Sequence, residues 1–365
     1  MNSEYMKKVL IITDIDFWRR GAGHRMRILK LVEFLANRTY LTIIYIGTAG
    51  NKKEESGRDD PDYTLVFLGE NELLDLNQYG QRLSEYLTHH SFDFCIIEYI
   101  HNAFLLEYLP DGIQTILDTH DIISDRNESF REFGHEEVSF DLSKDLEFGL
   151  FDVFDYVMLI SEPDLTKLKS ILPEEKLILC PHPSYLCRHE IRREVKNIGF
   201  IGSEYLPNKD AVQYFINECW CAIFEKHPVN FTIYGNVNRA LDGPITHDNI
   251  LQAGYIDDIG EIYHQIDIVI NPVRFGAGLK IKTVEALANG LPLVTSPHGA
   301  RGLEKTIGHS FWVADQPADF IRIILGLIEC YELRKETAKR AYAFMEENFS
   351  PEKCFEPLMR VIDEN

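Results

Sequence analysis

Residues 271–304, NPVRFGAGLKIKTVEALANGLPLVTSPHGARGLE, constrain the fold more than any other stretch of the chain. They follow an apolar strand pattern at 266–270 and begin with a loop containing Gly276, Ala277 and Gly278. Ile281, Val284, Leu287 and Ala288 then recur at helical spacing. Asn289-Gly290 stops that helix, because both residues tolerate a left-handed C-cap. Residues 291–295 read as a second buried strand. Strand, glycine loop, helix and strand make a βαβ unit whose loop opens at the carboxyl end of a parallel sheet, the end at which such sheets bind ligands.

The charges of the unit narrow its chemistry. Lys280 and Lys282 sit at the start of the helix, where a cation opposes the helix dipole unless an anion is present. Two glycines, free backbone N–H groups and two lysines together form a cradle for phosphate. Glu285, one turn on, is placed to accept hydrogen bonds from sugar hydroxyls. The competing reading is an ordinary i,i+3 surface pair of Lys282 and Glu285, stabilising by only about 0.2–0.5 kcal/mol and in the less favourable order.

The string Pro272, Gly276-x-Gly278-x-Lys280-x-Lys282-x-x-Glu285-Ala286, Gly290-x-Pro292, Thr295, Gly299 resembles the C-terminal signature of glycosyltransferase family 4, the group 1 transferases of GT-B fold. The resemblance implies that this segment holds a nucleotide-sugar donor and that Glu285 grips the ribose. Many members carry a second glutamate where this chain has Ala277.

With 365 residues, two domains are expected. Lys and Arg total 37 against 58 Asp and Glu, a formal net charge of −21. Such a field disfavours nonspecific binding to nucleic acid or anionic lipid. Seven scattered cysteines without a CxxC read as reduced thiols, so a cytoplasmic protein is expected. The N-terminal residues match neither a signal peptide nor a membrane span, leaving only peripheral membrane contact open.

Strand patterns at 8–13, 41–46, 65–68, 92–99, 113–118, 156–160 and 176–179 alternate with helical ones at 73–86, 141–153 and 164–172. Residues 49–62 read as an exposed loop. After a linker around 181–196 a second series begins, with strands at 197–202, 230–234, 250–253, 266–270, 291–295 and 310–313. Helices are expected at 210–225, 318–345 and 351–362. Alternation of this kind predicts α/β architecture with parallel sheets. The expectation is a GT-B architecture of two Rossmann-like domains facing a central cleft. The first spans 1–190 with a crossing helix at 346–365, and the second, nucleotide-sugar-binding domain spans 191–345.

Other constellations are assigned partly by the resemblance. In RRGAGHRMR, Gly21 and Gly23 would let backbone approach a ligand and Arg25 could face a phosphate; a tight turn with a solvated basic face is the alternative. His120 lies just beyond a strand, flanked by Asp118 and Asp121. The resemblance makes it the donor-sugar contact, whereas its sequence alone reads as a loop histidine. Lys209 matches a family diphosphate ligand, while Ser203 stands where relatives carry Arg. Tyr255 and Ile256 match the loop that reads the base. No metal site is expected: Asp14-x-Asp16 is a strand-end feature, and no H-E-x-x-H occurs.

The expected protein is a retaining, metal-independent glycosyltransferase without a cofactor. It would move sugar from a nucleotide-diphospho-sugar to a carbohydrate or lipid-linked acceptor, as in polysaccharide biosynthesis. Lys280, Lys282 or Lys209 would stabilise charge on the leaving diphosphate. The alternative is a GT-B-like nucleotide-sugar-binding or partner subunit without transferase activity, a reading that Ala277 and Ser203 favour.

Overall fold

The computed structural model describes residues 6–19, 21–48, 62–69, 72–136, 140–243, 245–247, 249–256 and 258–365. Arg20 and all but the last residue of the expected 49–62 loop lie outside the described residues. Two compact units emerge: Met1–Arg20, His24–Pro181 and Phe355–Asn365 form the first, and Gly21–Gly23 with His182–Cys354 the second.

The first unit is built on β1 (Lys8–Thr13), β2 (Tyr40–Tyr45), β3 (Thr64–Phe67), β4 (Phe94–Glu98), β5 (Gln114–Asp118), β6 (Tyr156–Leu159) and β7 (Leu177–Leu179). All pair in parallel, in the order β3-β2-β1-β4-β5-β6-β7. Alternate residues go to opposite faces, as the period of two requires. Leu10, Ile12, Cys95, Ile97 and Leu117 enter one core. Val9, Ile11, Phe94, Ile96 and Ile116 enter another, with Ile28, Leu31 and Leu35 of the helix Gly23–Ala36. Phe355, Leu358 and Ile362 from the last helix, Pro351–Glu364, join that second core. Both faces are therefore covered, and the strands read as near-continuous apolar runs.

The second unit holds β8 (Asn197–Ile201), β9 (Asn230–Tyr234), β10 (Ile250–Gly254), β11 (Ile268–Asn271), β12 (Leu293–Thr295) and β13 (Trp312–Val313). The order is β10-β9-β8-β11-β12-β13, again parallel. Phe200, Phe231, Ile233, Ile268 and Ile270 pack with Phe215, Trp220, Phe320 and Ile324. In each sheet the strand order reverses beside the first strand, between β1 and β4 and between β8 and β11. The carboxyl ends of those pairs are the crevices in which doubly wound sheets bind ligands.

Elements not expected from the sequence include a 3₁₀ stretch, Ile100–Tyr108, and the helices Ile123–Glu132, Val237–Ala240 and Ile259–His264. The helix Ile123–Glu132 has only Ile123, Asn127 and Phe130 buried, too sparse an apolar stripe to announce itself. Its start is capped from a distance, since the Glu147 carboxylate accepts from the Ile123 and Ser124 backbone N–H at 2.7 and 2.8 Å.

Candidate active site

The glycine loop follows β11 at the switch point of the second sheet. Gly276 and Gly278 adopt φ of 113° and 65°, a region that side chains resist. A Cβ on Gly276 would lie 3.9 Å from His298 Nε2, Lys280 Nζ and Pro207 Cγ. The loop is thus lined by its own lysine, by the loop after β12 and by the start of the helix Leu206–Phe215. A chain of hydrogen bonds holds it in shape. Asn271 Nδ2 donates to Thr283 Oγ1 (2.9 Å), which donates to Gly299 O (2.8 Å), and Thr295 Oγ1 donates to Asn271 O (2.9 Å).

Lys280 occupies the N-cap of the helix Ile281–Ala288 with extended backbone, and its side chain does not cap that helix. Its ammonium turns back to Ala277 O (2.7 Å) and Gly278 O (3.1 Å). Lys282, in the first turn, donates to Asn208 Oδ1 at 2.5 Å and lies 4.2 Å from the Phe200 ring centre. Burial, then Lys280, push its pKa down to about 7, against the pull of Glu285. Among the described residues Lys282 forms no ion pair with Glu285, so the ordinary surface pair is not formed. Instead Glu285 Oε2 accepts from the buried Tyr263 hydroxyl at 3.2 Å.

His298 is the residue of this site that sequence reading missed. Burial, then Lys280 and Arg301, lower its pKa to about 3, so its ring is neutral. Its buried Nε2 has no protein partner among the described residues. The only signal was its place in a Pro-His-Gly loop just after the second strand of the βαβ unit.

The remaining expected donor-side residues are less closely drawn together. Lys209 is ion-paired with Asp242 at 2.7 Å. Lys209 lies within the helix Leu206–Phe215, whose N-cap is Tyr205, and Asn208 Nδ2 in the same helix donates back to Ser203 O at 3.0 Å. Tyr255 is exposed and Ile256 half-buried on the loop after β10. A cavity of about 420 Å³ lined by Arg188, His189, Gly290, Tyr331 and Lys335 adjoins the opposite, carbonyl end of the helix Ile281–Ala288. Helix polarity disfavours an anion there, and the glycine loop is the better site.

Gly21, grouped with the second unit, has φ of 99°, and Gly23 opens the helix Gly23–Ala36, whose residues from His24 on belong to the first unit. Arg25 Nε donates to Asp16 Oδ1 at 2.7 Å, so Arg25 is neutralised within its own loop. Burial, then His120 and Arg25, lower the pKa of His24 to about 4. At the β1/β4 switch point, Asp14 accepts from Asn102 Nδ2 at 3.0 Å and lies 3.0 Å from His101 Nε2. His120 is buried beyond β5, with Nε2 2.6 Å from Glu98 Oε2. Glu98, Asp118 and His120 offer ligand atoms within 4.8 Å of one another. Both Asp118 oxygens, however, are taken by Arg27 at 3.0–3.4 Å. A cation would have to displace that guanidinium, so the set suits a shared proton better than a metal.

Residues 195–330 match the family model described as glycosyl transferases group 1. The second unit is a group 1 glycosyltransferase domain. A curated Klebsiella pneumoniae protein, described as an uncharacterized 44.6 kDa protein in the cps region, is 22% identical, with 76% of each chain covered. Anabaena HepE, solved with UDP and glucose, superposes with TM-score 0.72 at 13% identity, covering 98% of this chain and all of that one. Sucrose-phosphate synthase from Thermosynechococcus elongatus gives 0.76 at 11% identity, with 98% of each chain covered. S. aureus TarM gives 0.75 at 12%, over 97% of this chain and 99% of that one. These likenesses establish the GT-B fold, two Rossmann-like domains, for the whole chain. Within it, the signature of the group 1 glycosyltransferase runs through the loop that carries Gly276, Gly278, Lys280 and Lys282. No helix among the described residues is long and apolar enough to cross a membrane.

Proposed function

We propose that this group 1 glycosyltransferase moves a sugar from a uridine diphosphate sugar to a hydroxyl of a glycan or lipid-linked acceptor, retaining anomeric configuration and using no metal. The observation that carries the reading is the glycine loop opening a helix beside Lys280, Lys282 and the unpartnered His298 Nε2. A diphosphate there would meet backbone N–H groups, two lysines and a neutral imidazole, which stabilise charge on the leaving group without a cation. Glu285, braced by Tyr263, would take the ribose hydroxyls. His120 would contact the donor sugar. The departing phosphate would accept the acceptor's proton.

Uridine is favoured because HepE is described in complex with UDP-glucose. A polysaccharide acceptor is favoured because the Klebsiella relative is placed in a cps region. A thermal-shift comparison of UDP, GDP, dTDP and CMP tests the donor. A ligand at 100 times its Kd adds about 2.7 kcal/mol of stability, and UDP should give the largest rise. Release of UDP from its sugar, with a labelled glycan as product, tests transfer. UDP binding without any turnover would leave only a binding protein.

A further inference from the structure

We propose that Glu98 is the positioning residue of His120: it holds the imidazole proton on Nε2, so that Nδ1 stands as an acceptor for a hydroxyl of the bound sugar. The inference rests on the reading of His120 given above and extends it to a residue that no motif marks.

The geometry lies wholly within the first unit. Glu98 ends β4 and Asp118 ends the neighbouring β5, in register with each other. Both side chains are fully buried. Asp118 is engaged by Arg27, leaving Glu98 to face the ring. One Glu98 oxygen lies 2.6 Å from His120 Nε2, while Oε1 has no partner among the described residues. A buried carboxylate with a single contact is costly unless that contact is charge-assisted or proton-sharing. Burial, then Asp118, raise Glu98 above the usual carboxylate range, while His120 and Arg27 oppose the rise.

The ring itself is clamped. Tyr99 stacks on it with centroids 4.0 Å apart and planes 10° from parallel. Tyr99 and His120 have φ of 65° and 56° and are the described non-glycine residues with positive φ. Strain at two facing positions survives only where the surroundings over-determine it, and it concentrates at functional sites. His24 and Arg27 from the helix Gly23–Ala36, Asp118 from β5, and Asp121 with Arg126 beyond it are the other charged or titratable groups acting on this cluster. Only Glu98 contacts the His120 nitrogen, and Nδ1 has no protein partner among the described residues. The nitrogen that meets a ligand is therefore chosen by the carboxylate on the other one.

The test begins with imidazole nitrogen NMR on the wild-type protein at neutral pH. The proton should reside on His120 Nε2; a proton on Nδ1 overturns the proposal. In Glu98→Gln, loss of the carboxylate should release the proton from Nε2, so that the Nδ1–H form appears in the same spectrum. The same variant should lose roughly 10-fold or more in kcat, at least the range seen when a metal-bound imidazole loses its orienting partner. UDP affinity should stay unchanged, and the acid limb of the pH profile should move. A purely structural Glu98 predicts an unchanged proton position on His120 and an unmoved profile, and that result also overturns the proposal. If the wild type transfers no sugar, the function above fails, while the NMR measurements still decide the role of Glu98.

Discussion

Arg27 and Asp118 form a buried ion pair, with Arg27 Nε and Nη2 3.0 and 3.2 Å from the carboxylate oxygens and Nη1 3.2 Å from Pro181 O. The pair ties the helix Gly23–Ala36 to the end of β5 and to the last residue of its segment of the first unit. It also frees Glu98 from competing for a cation. Burial works against the Arg27 charge, yet Asp118 holds its pKa above the ordinary value.

Removing one member strands the other charge in the core. Arg27→Met should destabilise the protein by about 3–5 kcal/mol in urea unfolding. Arg27→Met combined with Asp118→Asn should cost less than the sum of the single changes. Simple additivity in a double-mutant cycle would contradict the pairing.

Lys282 makes a prediction about pH. Its folded pKa is depressed to about 7 from 10.5. Between those values the unfolded chain binds more protons, so the Lys282 contribution to stability improves as pH rises through that window. Its full penalty is felt below pH 7. Lys282→Met should therefore stabilise the empty protein most at and below pH 7, with the advantage fading by pH 10. It should weaken UDP by about 10- to 150-fold, the loss of one charge-assisted hydrogen bond of roughly 1.5–3 kcal/mol, with uridine scarcely affected. Wild-type UDP binding at pH 8 should take up protons, read by calorimetry in buffers of different ionisation heat. Absence of that uptake, with unchanged UDP affinity in the variant, would contradict the phosphate role.

Glu285 should behave differently. Glu285→Gln is expected to weaken uridine and UDP alike, since its assigned partner is the ribose. Tyr263→Phe, which removes the hydroxyl 3.2 Å from Glu285 Oε2, should follow the same pattern more weakly. Titration calorimetry of both ligands gives the comparison, and a loss confined to UDP would reassign Glu285 to the phosphates.

Glu147 caps a helix from another element. Glu147→Ala would leave the Ile123 and Ser124 N–H groups without their acceptor. With an unmet buried donor costing about 1–3 kcal/mol, a destabilisation of roughly 2 kcal/mol or more is expected in urea melts. Hydrogen exchange should accelerate first in residues 123–132. Uniform exchange across the first unit would argue against a local cap.

The sequence by itself determined the layered α/β architecture, because strands buried on both faces must be apolar runs and the helices covering them must repeat at 3.6 residues. The same local logic picked out the glycine loop that is proposed to hold phosphate. Gly276 and Gly278 are required by backbone conformation, and Lys280 and Lys282 are set against a helix dipole within a few residues of each other. Tertiary structure alone decided what these groups face. Lys282 meets Asn208, 74 positions away, and not Glu285. Glu285 is braced by Tyr263 from another helix. His298 becomes part of the site only because β12 lies beside β11. The helix Ile123–Glu132 depends on Glu147, and His120 depends on Glu98, 22 positions earlier. A carboxylate that caps a distant helix or orients an imidazole carries no local period or spacing. Its partner is chosen by strand order and register, which exist only once the chain has folded.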